Sequence, residues 1–306
     1  MKRKIIILII FAGIALAAAV PLVIFHARPP VLVVADMSFL QLYGESRARR
    51  ENFRSSLSLL RPVKTVAIAD DSGDDIVQFA ITEISSRPFC VVFPQRFTAA
   101  ARLYREQNPQ IQVILLEGRL SKNKPDDFNG FFIYKTDIEA DFYRAGVFAA
   151  IIEGGKNGKI VVFMETQLQR QCRETFLSAF SELEEPPEPL FYTSFSQYSE
   201  IPELSCVVLA GSGAEYIEKF SGVPVVFFTW IDPAVLPNDV VLVVDDSPWA
   251  QVREAVRMAA GGSADGSIQS NFLVINEKKI DAQALHKIKK QGKINKTALD
   301  DLTKGP

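Results

Sequence analysis

Residues 134–163 read YKTDIEADFYRAGVFAAIIEGGKNGKIVVF, and this stretch decides the fold. Ile138 to Ile152 carries apolar and small residues at helical spacing. Gly154-Gly155 closes the run, where the residue after a helix end often needs a positive φ. Beyond it, Lys159–Phe163 (KIVVF) is apolar without alternation, as expected of a strand covered on both faces. Phe131–Tyr134 supplies a strand ahead of the helix. Strand, helix, strand with fully apolar strands is the building unit of a parallel sheet.

The unit recurs in both directions. Upstream, Val31–Ala35 (VLVVA), Thr65–Ala69 (TVAIA), Cys90–Phe93 and Ile111–Leu116 (IQVILL) read as strands. Helices are predicted from Glu45 to Leu60, Asp74 to Ser85 and Thr98 to Gln107. Downstream, the strands are Leu190–Tyr192, Cys206–Ala210, Val223–Phe228 and Val240–Val244, with helices near Leu168–Leu183, Glu215–Phe220 and Ala250–Ala260. Two such series predict an α/β protein of two doubly wound parallel-sheet lobes joined by crossover segments. The first lobe is predicted to take residues 30–135 and 238–265. The second takes 136–237 and 266–306, ending in a lysine-rich surface helix from Asp281 to Leu302.

Residues 1–29 are a separate piece. The basic head Met1-Lys2-Arg3-Lys4 precedes Ile5 to Phe25, 21 residues without a charge. As a helix that run would span about 31 Å, enough to cross a bilayer. Positive charge ahead of it keeps that end in the cytoplasm and sends the rest of the chain out, to the periplasm or cell surface. Ala17-Ala18-Ala19 offers a signal-peptidase site, whereas Pro21 and the apolar Leu22 to Phe25 favour an uncleaved membrane anchor. A net charge of −2, with 48% apolar and 23% charged residues, describes an ordinary folded chain and argues against a nucleic-acid binder. A single long uncharged run excludes a polytopic membrane protein.

Ligands of open parallel sheets bind beyond the carboxyl ends of the strands. Those ends carry Asp36-Met37-Ser38-Phe39, Asp70-Asp71-Ser72, Pro94-Gln95-Arg96-Phe97, Glu117, Met164-Glu165-Thr166, Gly211-Ser212-Gly213, Thr229-Trp230 and Asp245-Asp246. Acids, hydroxyls and aromatics suit a polar ligand with a flat face, although an Asp after a strand often only caps the next helix. The ligand-binding candidates are Asp36, Phe39, Gln95, Phe97, Gly211, Thr229, Trp230 and Asp245. Catalytic groups are not apparent. His26 and His286 lie at opposite ends of the chain, so no histidine-based triad or metal site is predicted, and no cofactor. Asp70 to Asp75 (DDSGDD) places its glycine at the wrong offset for a calcium loop. Gly154 to Lys159 (GGKNGK) fails the phosphate-loop pattern at both ends. Cys90 and Cys206 open apolar runs and read as buried thiols. Cys172 lies in a polar helical stretch.

The order of pieces resembles the type I periplasmic binding fold, and within it the basic membrane protein family of solute receptors, several of which bind nucleosides. Tyr134 to Phe163 carries the likeness most strongly. Cys206 to Gly213 and the series VPVVFF, Leu236-Pro237-Asn238, VVLVV and REAV add to it. The resemblance implies a noncatalytic, extracytoplasmic receptor. Its small ligand would enter a cleft between two lobes, closing near Lys135, Pro237 and Gly262, with an ABC-type permease or a signalling protein as partner. It implies stacking by Phe39 and Phe97, closure by Trp230, and hydroxyl binding by Asp36, Asp245 and Gln95. Departures are specific. Thr229 stands where nucleoside-binding relatives place an acid, Asp246 and Ser247 where they place a basic pair, and Met164-Glu165 where they place two glycines. These departures imply an alternative, a membrane-anchored sensor or interaction module with a degenerate site. The intact mass of the exported chain decides the leader: a start at Met1 marks the anchor, and a start at Val20 marks a cleaved signal.

Overall fold

The computed structural model describes residues 25–118, 130–154, 158–181, 186–198, 201, 203–211 and 214–294. The apolar leader up to residue 24, Gly155, Ser212, Gly213 and the tail from 295 lie outside the described residues. So do residues 182–185, where the predicted helix was to end. Among the described helices none is long and apolar enough to cross a membrane.

The described strands form two six-stranded sheets. In chain order they are β1 (Val31–Asp36), β2 (Val63–Ile68), β3 (Cys90–Pro94), β4 (Gln112–Glu117), β5 (Phe132–Thr136) and β6 (Lys159–Met164), followed by β7 (Leu190–Tyr192), β8 (Leu204–Ala210), β9 (Val225–Phe228), β10 (Val240–Asp245), β11 (Asp265–Ile268) and β12 (Asn271–Val274). The first sheet runs β11-β5-β4-β3-β1-β2 and the second β12-β10-β9-β8-β6-β7. The chain divides into two compact units. Unit 1 holds residues 25–116, 130–134 and Val252–Gly266; unit 2 holds 117–118, Lys135–Gln251 and the chain from Ser267.

In unit 1, β1 pairs in parallel with β2 and β3, and β3 with β4. Every residue of β1 is buried, as its unbroken apolar run requires. Four helices follow the early strands: α1 (Met37–Tyr43), α2 (Glu45–Leu59), α3 (Asp74–Ile84) and α4 (Thr98–Gln107). Val77, Ile81, Ala100, Ala101 and Tyr104 pack with Leu32, Val34, Val91 and Phe93 into the core on one face of the sheet.

Unit 2 is built around α5 (Ile138–Glu153). Asp137 caps its start by accepting from the Ala140 N–H at 3.2 Å, and Gly154 ends it at φ +63°. Phe142 stacks on Phe228 at 4.6 Å, and Ala145, Ala149 and Ile152 bury with Val162, Val208 and Val226. Against α5 lies α6 (Thr166–Ser178), so close that a Cβ on Gly146 would stand 2.7 Å from the Phe176 carbonyl oxygen and 2.8 Å from the Ala179 Cβ. All three cysteines are free and buried, and Cys172 belongs to this core, not to a polar surface. Burial pushes each thiol up to about 12.

The structure departs from the sequence reading at four points. β10 pairs with β9 and β12, so residues 240–245 lie in the second sheet; the chain passes to unit 1 within α7 (Pro248–Ala260), between Gln251 and Val252. The sheets are not wholly parallel, because β12 runs antiparallel to β10. Residues Ala214–Phe220 form 3-10 turns where an α-helix was predicted. Aromatic rings fill that face instead: Phe163 meets Tyr192, Phe195, Tyr198 and Phe220, and Phe195 stacks on Tyr216 at 4.5 Å. Finally, α8 (Ala282–Ile294) is not a mere surface helix, since Ile280, Ala284 and Ile288 recur every fourth residue and enter the core.

Replacing Gly146 by Ala tests the α5–α6 approach. In an open helix the exchange stabilises by about 1 kcal/mol. Here the new methyl group meets backbone, and a net loss of about 1–3 kcal/mol is expected, read from the midpoint of denaturant unfolding.

Candidate functional site

Because β1, β2 and β3 are parallel, their carboxyl ends share one edge of the first sheet. Asp36 ends β1 and is 2% exposed. One carboxylate oxygen accepts from the Phe39 N–H at 2.7 Å and caps α1; the other pairs with the Arg96 guanidinium. Arg96 follows β3 with its side chain 49% exposed, lies 5.2 Å over the Phe97 ring and donates to the Asp70 carbonyl at 3.5 Å. Asp70, just past β2, is exposed. It accepts from the Ser38 N–H at 3.0 Å and from the Ser38 hydroxyl. The Ser38 hydroxyl bond, followed by the Ser38 amide bond, holds the Asp70 carboxyl below the usual carboxylate range.

Unit 1 thus presents an ionised acid and a guanidinium side by side, with Ser38 and the half-buried Gln95 beside them in the chain. The sequence candidates divide. Phe97 is 8% exposed and belongs to the core with Phe93 and Tyr104, so it is no stacking platform. Phe39 is partly buried, with its ring stacked at 6.2 Å on Tyr43. Asp36 orients Arg96 and α1 from beneath the surface. The exposed groups are Ser38, Asp70 and Arg96, which stood among the strand-end residues but were passed over for their neighbours. A serine beside a capping Asp and an arginine beside a buried Phe were the signals.

Unit 2 uses its strand ends mostly for itself. The Thr229 N–H donates to the Val244 carbonyl at 3.1 Å and its hydroxyl accepts from the Ile231 N–H at 3.2 Å. Asp245 is 1% exposed and accepts from the Ser247 N–H at 2.9 Å, while Ser247 Oγ accepts from the Ala250 N–H at 3.3 Å at the start of α7. Gly211 has φ +92°, and a Cβ there would lie 3.1 Å from Glu165 Oε1, so its missing side chain makes room for Glu165. Trp230 is half-buried after β9. At the ends of β4 and β5, the buried Glu117 carboxylate lies 3.3 Å from Lys135 Nζ. Among the described residues no group of three His, Cys, Asp or Glu is placed to hold a metal ion.

No family model matches the chain, and no curated protein matches it. Solved structures do. A periplasmic solute-binding protein of an ABC transporter from Actinobacillus succinogenes, with bound D-allose, superposes with a TM-score of 0.51 at 13% identity, covering 82% of this chain and 99% of that one. The arabinose-binding protein AraP from Geobacillus stearothermophilus gives 0.53 at 10% identity, over 82% and 98%. A transcriptional activator of the comK gene from Bacillus halodurans gives 0.56 at 12% identity, over 86% and 95%. None of the three is named for a catalytic activity. At such identities the likeness is one of fold: the chain has the α/β fold of the type I periplasmic binding proteins.

Ser38→Ala tests the strand-end cluster. Asp70 has its folded-state pKa depressed, so its contribution to stability is present above the ordinary carboxylate pKa and is lost as pH falls through the folded value. Without the Ser38 hydroxyl, the Asp70 carboxyl should titrate closer to its ordinary value, and the acid limb of the unfolding curve should move up in pH. Carboxyl carbon NMR titration reads the first and thermal unfolding against pH the second.

Proposed function

We propose that the chain is a noncatalytic, extracytoplasmic solute-binding protein whose unit 1 takes a small polyhydroxylated solute at the Ser38, Asp70 and Arg96 cluster, and that it serves an ABC-type permease. One observation carries this reading. An exposed ionised carboxylate and a half-exposed guanidinium sit together at the carboxyl edge of a parallel sheet, the latter anchored on buried Asp36. A planar acid beside a planar cation offers paired acceptors and donors, which match two vicinal hydroxyls. Phe39, partly buried and next to Ser38 in the chain, supplies an apolar surface for the solute's C–H side.

Both sugars and the ribose of a nucleoside present vicinal hydroxyls. The solved neighbours named for D-allose and arabinose support a sugar. The resemblance to the basic membrane protein family supports a nucleoside. Core placement of Phe97 takes away one expected stacking partner for a base and tips the balance to a sugar.

A second reading, a membrane-anchored sensor or interaction module, has its own observation. Asp36, Thr229 and Asp245, expected on the ligand, are buried and bonded to their own backbone.

Calorimetric titration of the chain with pentoses, hexoses and nucleosides separates the two. One class of polyol is expected to bind, and Arg96→Ala to weaken it by about 1–3 kcal/mol; the variant also unfolds at lower temperature, because the buried Asp36 carboxylate loses its cation, so the titration is run well below that midpoint. Binding of none of the panel favours the sensor, and full affinity in Arg96→Ala removes the cluster from the site.

A further inference from the structure

Unit 1 has a second surface feature, built from other residues. Helix α2 is amphipathic in the wrong sense: it buries Arg47, Ala48, Ser55 and Ser56 and turns Phe53 and Leu57 to the outside, 64% and 56% exposed. These two side chains wall a groove of about 940 Å³ whose other side is β2, the edge strand of the first sheet. Phe25 and His26 stand at the same groove.

Two observations bear on what could cover it. The first is charge. Arg49 and Lys64 line the groove, and Arg50 and Arg54 are exposed on the same helix α2, in a chain whose net charge is −2. The neighbouring acids are Glu45, paired with Arg49 at 3.1 Å, and Glu51, paired with Arg54 at 2.7 Å. Among the described residues Arg50 and Lys64 make no ion pair. The second is where the preceding chain arrives. The uncharged run that begins at Ile5 ends at Phe25, on the groove itself. Kept as an uncleaved anchor, that run would bring the bilayer surface beside Phe53 and Leu57. Exposed aromatic and aliphatic side chains among arginines and lysines are the composition of a surface that sits in the headgroup layer of a bilayer. A second copy of the chain fits less well, since a two-fold contact on this face would set the same cations against each other.

We propose that the α2 face of unit 1 docks on an anionic lipid surface, with Phe53 and Leu57 entering the headgroup boundary and Arg49, Arg50, Arg54 and Lys64 on lipid phosphates. The stems of these long cations lie along the apolar ridge while their heads reach the charge. The contact is separate from the strand-end cluster and does not depend on what that cluster binds.

The test uses the full chain in vesicles, with Leu57→Cys carrying a fluorescent label and Phe79→Cys on α3 as reference. Phe79 is 67% exposed and outside the groove, and the native cysteines are buried, so the label goes to the new thiol. In phosphatidylcholine mixed with phosphatidylglycerol, nitroxide-bearing lipids are expected to quench the label at 57 and spare that at 79. Quenching at 57 should fall in pure phosphatidylcholine and at raised salt. Arg50→Gln with Lys64→Gln should lower the docked-to-free ratio by about thirtyfold, about fivefold per cation. Both side chains are exposed, so the double variant keeps its thermal unfolding; a label at Phe53→Cys repeats the measurement should position 57 disturb the helix. Equal quenching at 57 and 79, or quenching indifferent to lipid charge, overturns the proposal. Cross-linking of position 57 to its counterpart in another copy by a short bis-maleimide also overturns it, in favour of self-association.

Discussion

A strand buried on both faces has no room for polar side chains along its length, and the layout of the chain obeys that restriction. In β1 all six residues are buried, and in β10 likewise. Helices and, in unit 2, an aromatic layer must cover the faces. Polar groups are pushed to the strand termini, where the chain turns and the ladder of hydrogen bonds stops. Parallel pairing then gathers those termini along one edge. The collection of Asp36, Asp70 and Arg96 at a single edge is thus a consequence of topology before it is a feature of binding.

The same edge has to terminate strands and start helices, and the two duties compete for the same carboxylates. Asp36 shows how the competition is settled in unit 1. Its two oxygens are divided between the α1 backbone and Arg96, so a buried charge is neutralised and the exposed cation is held in one place. In unit 2 the helix-starting duty prevails: Asp245 and Ser247 both bond inward, toward the entry of α7. The two units therefore share an architecture but not the chemistry at their edges.

Much of this was legible in the sequence because periodicity and burial are coupled. The apolar runs of β1, β3, β6, β8 and β10, the helix of 138–153 and its glycine stop were all readable, and so was the two-sheet architecture. What escaped were elements without a hydrophobic signature. β11 is DGSI, four residues with only Ile268 buried, and becomes a strand because β5 lends it partners. The crossing inside α7 escaped because nothing in a continuous helix marks a boundary between units. At the site, an aspartate after a strand reads alike whether it caps, pairs or contacts a solute. The direction taken by Phe97 depends on a 3-10 turn, Gln95–Phe97, which spacing does not reveal.

The three buried thiols have a consequence for how the folded chain meets its surroundings. Exchange chemistry runs through the thiolate, and with each thiol pushed up to about 12 only about one in ten thousand to one in a hundred thousand is ionised near neutrality. Oxidants outside the cytoplasm and reductants inside it therefore meet the same inert surface. The folded chain holds no cross-link, since all three of its cysteines are free and buried. Its stability draws on packing and on polar pairs such as Ser38 with Asp70 and Asp36 with Arg96, and none of these changes with the redox poise of its surroundings.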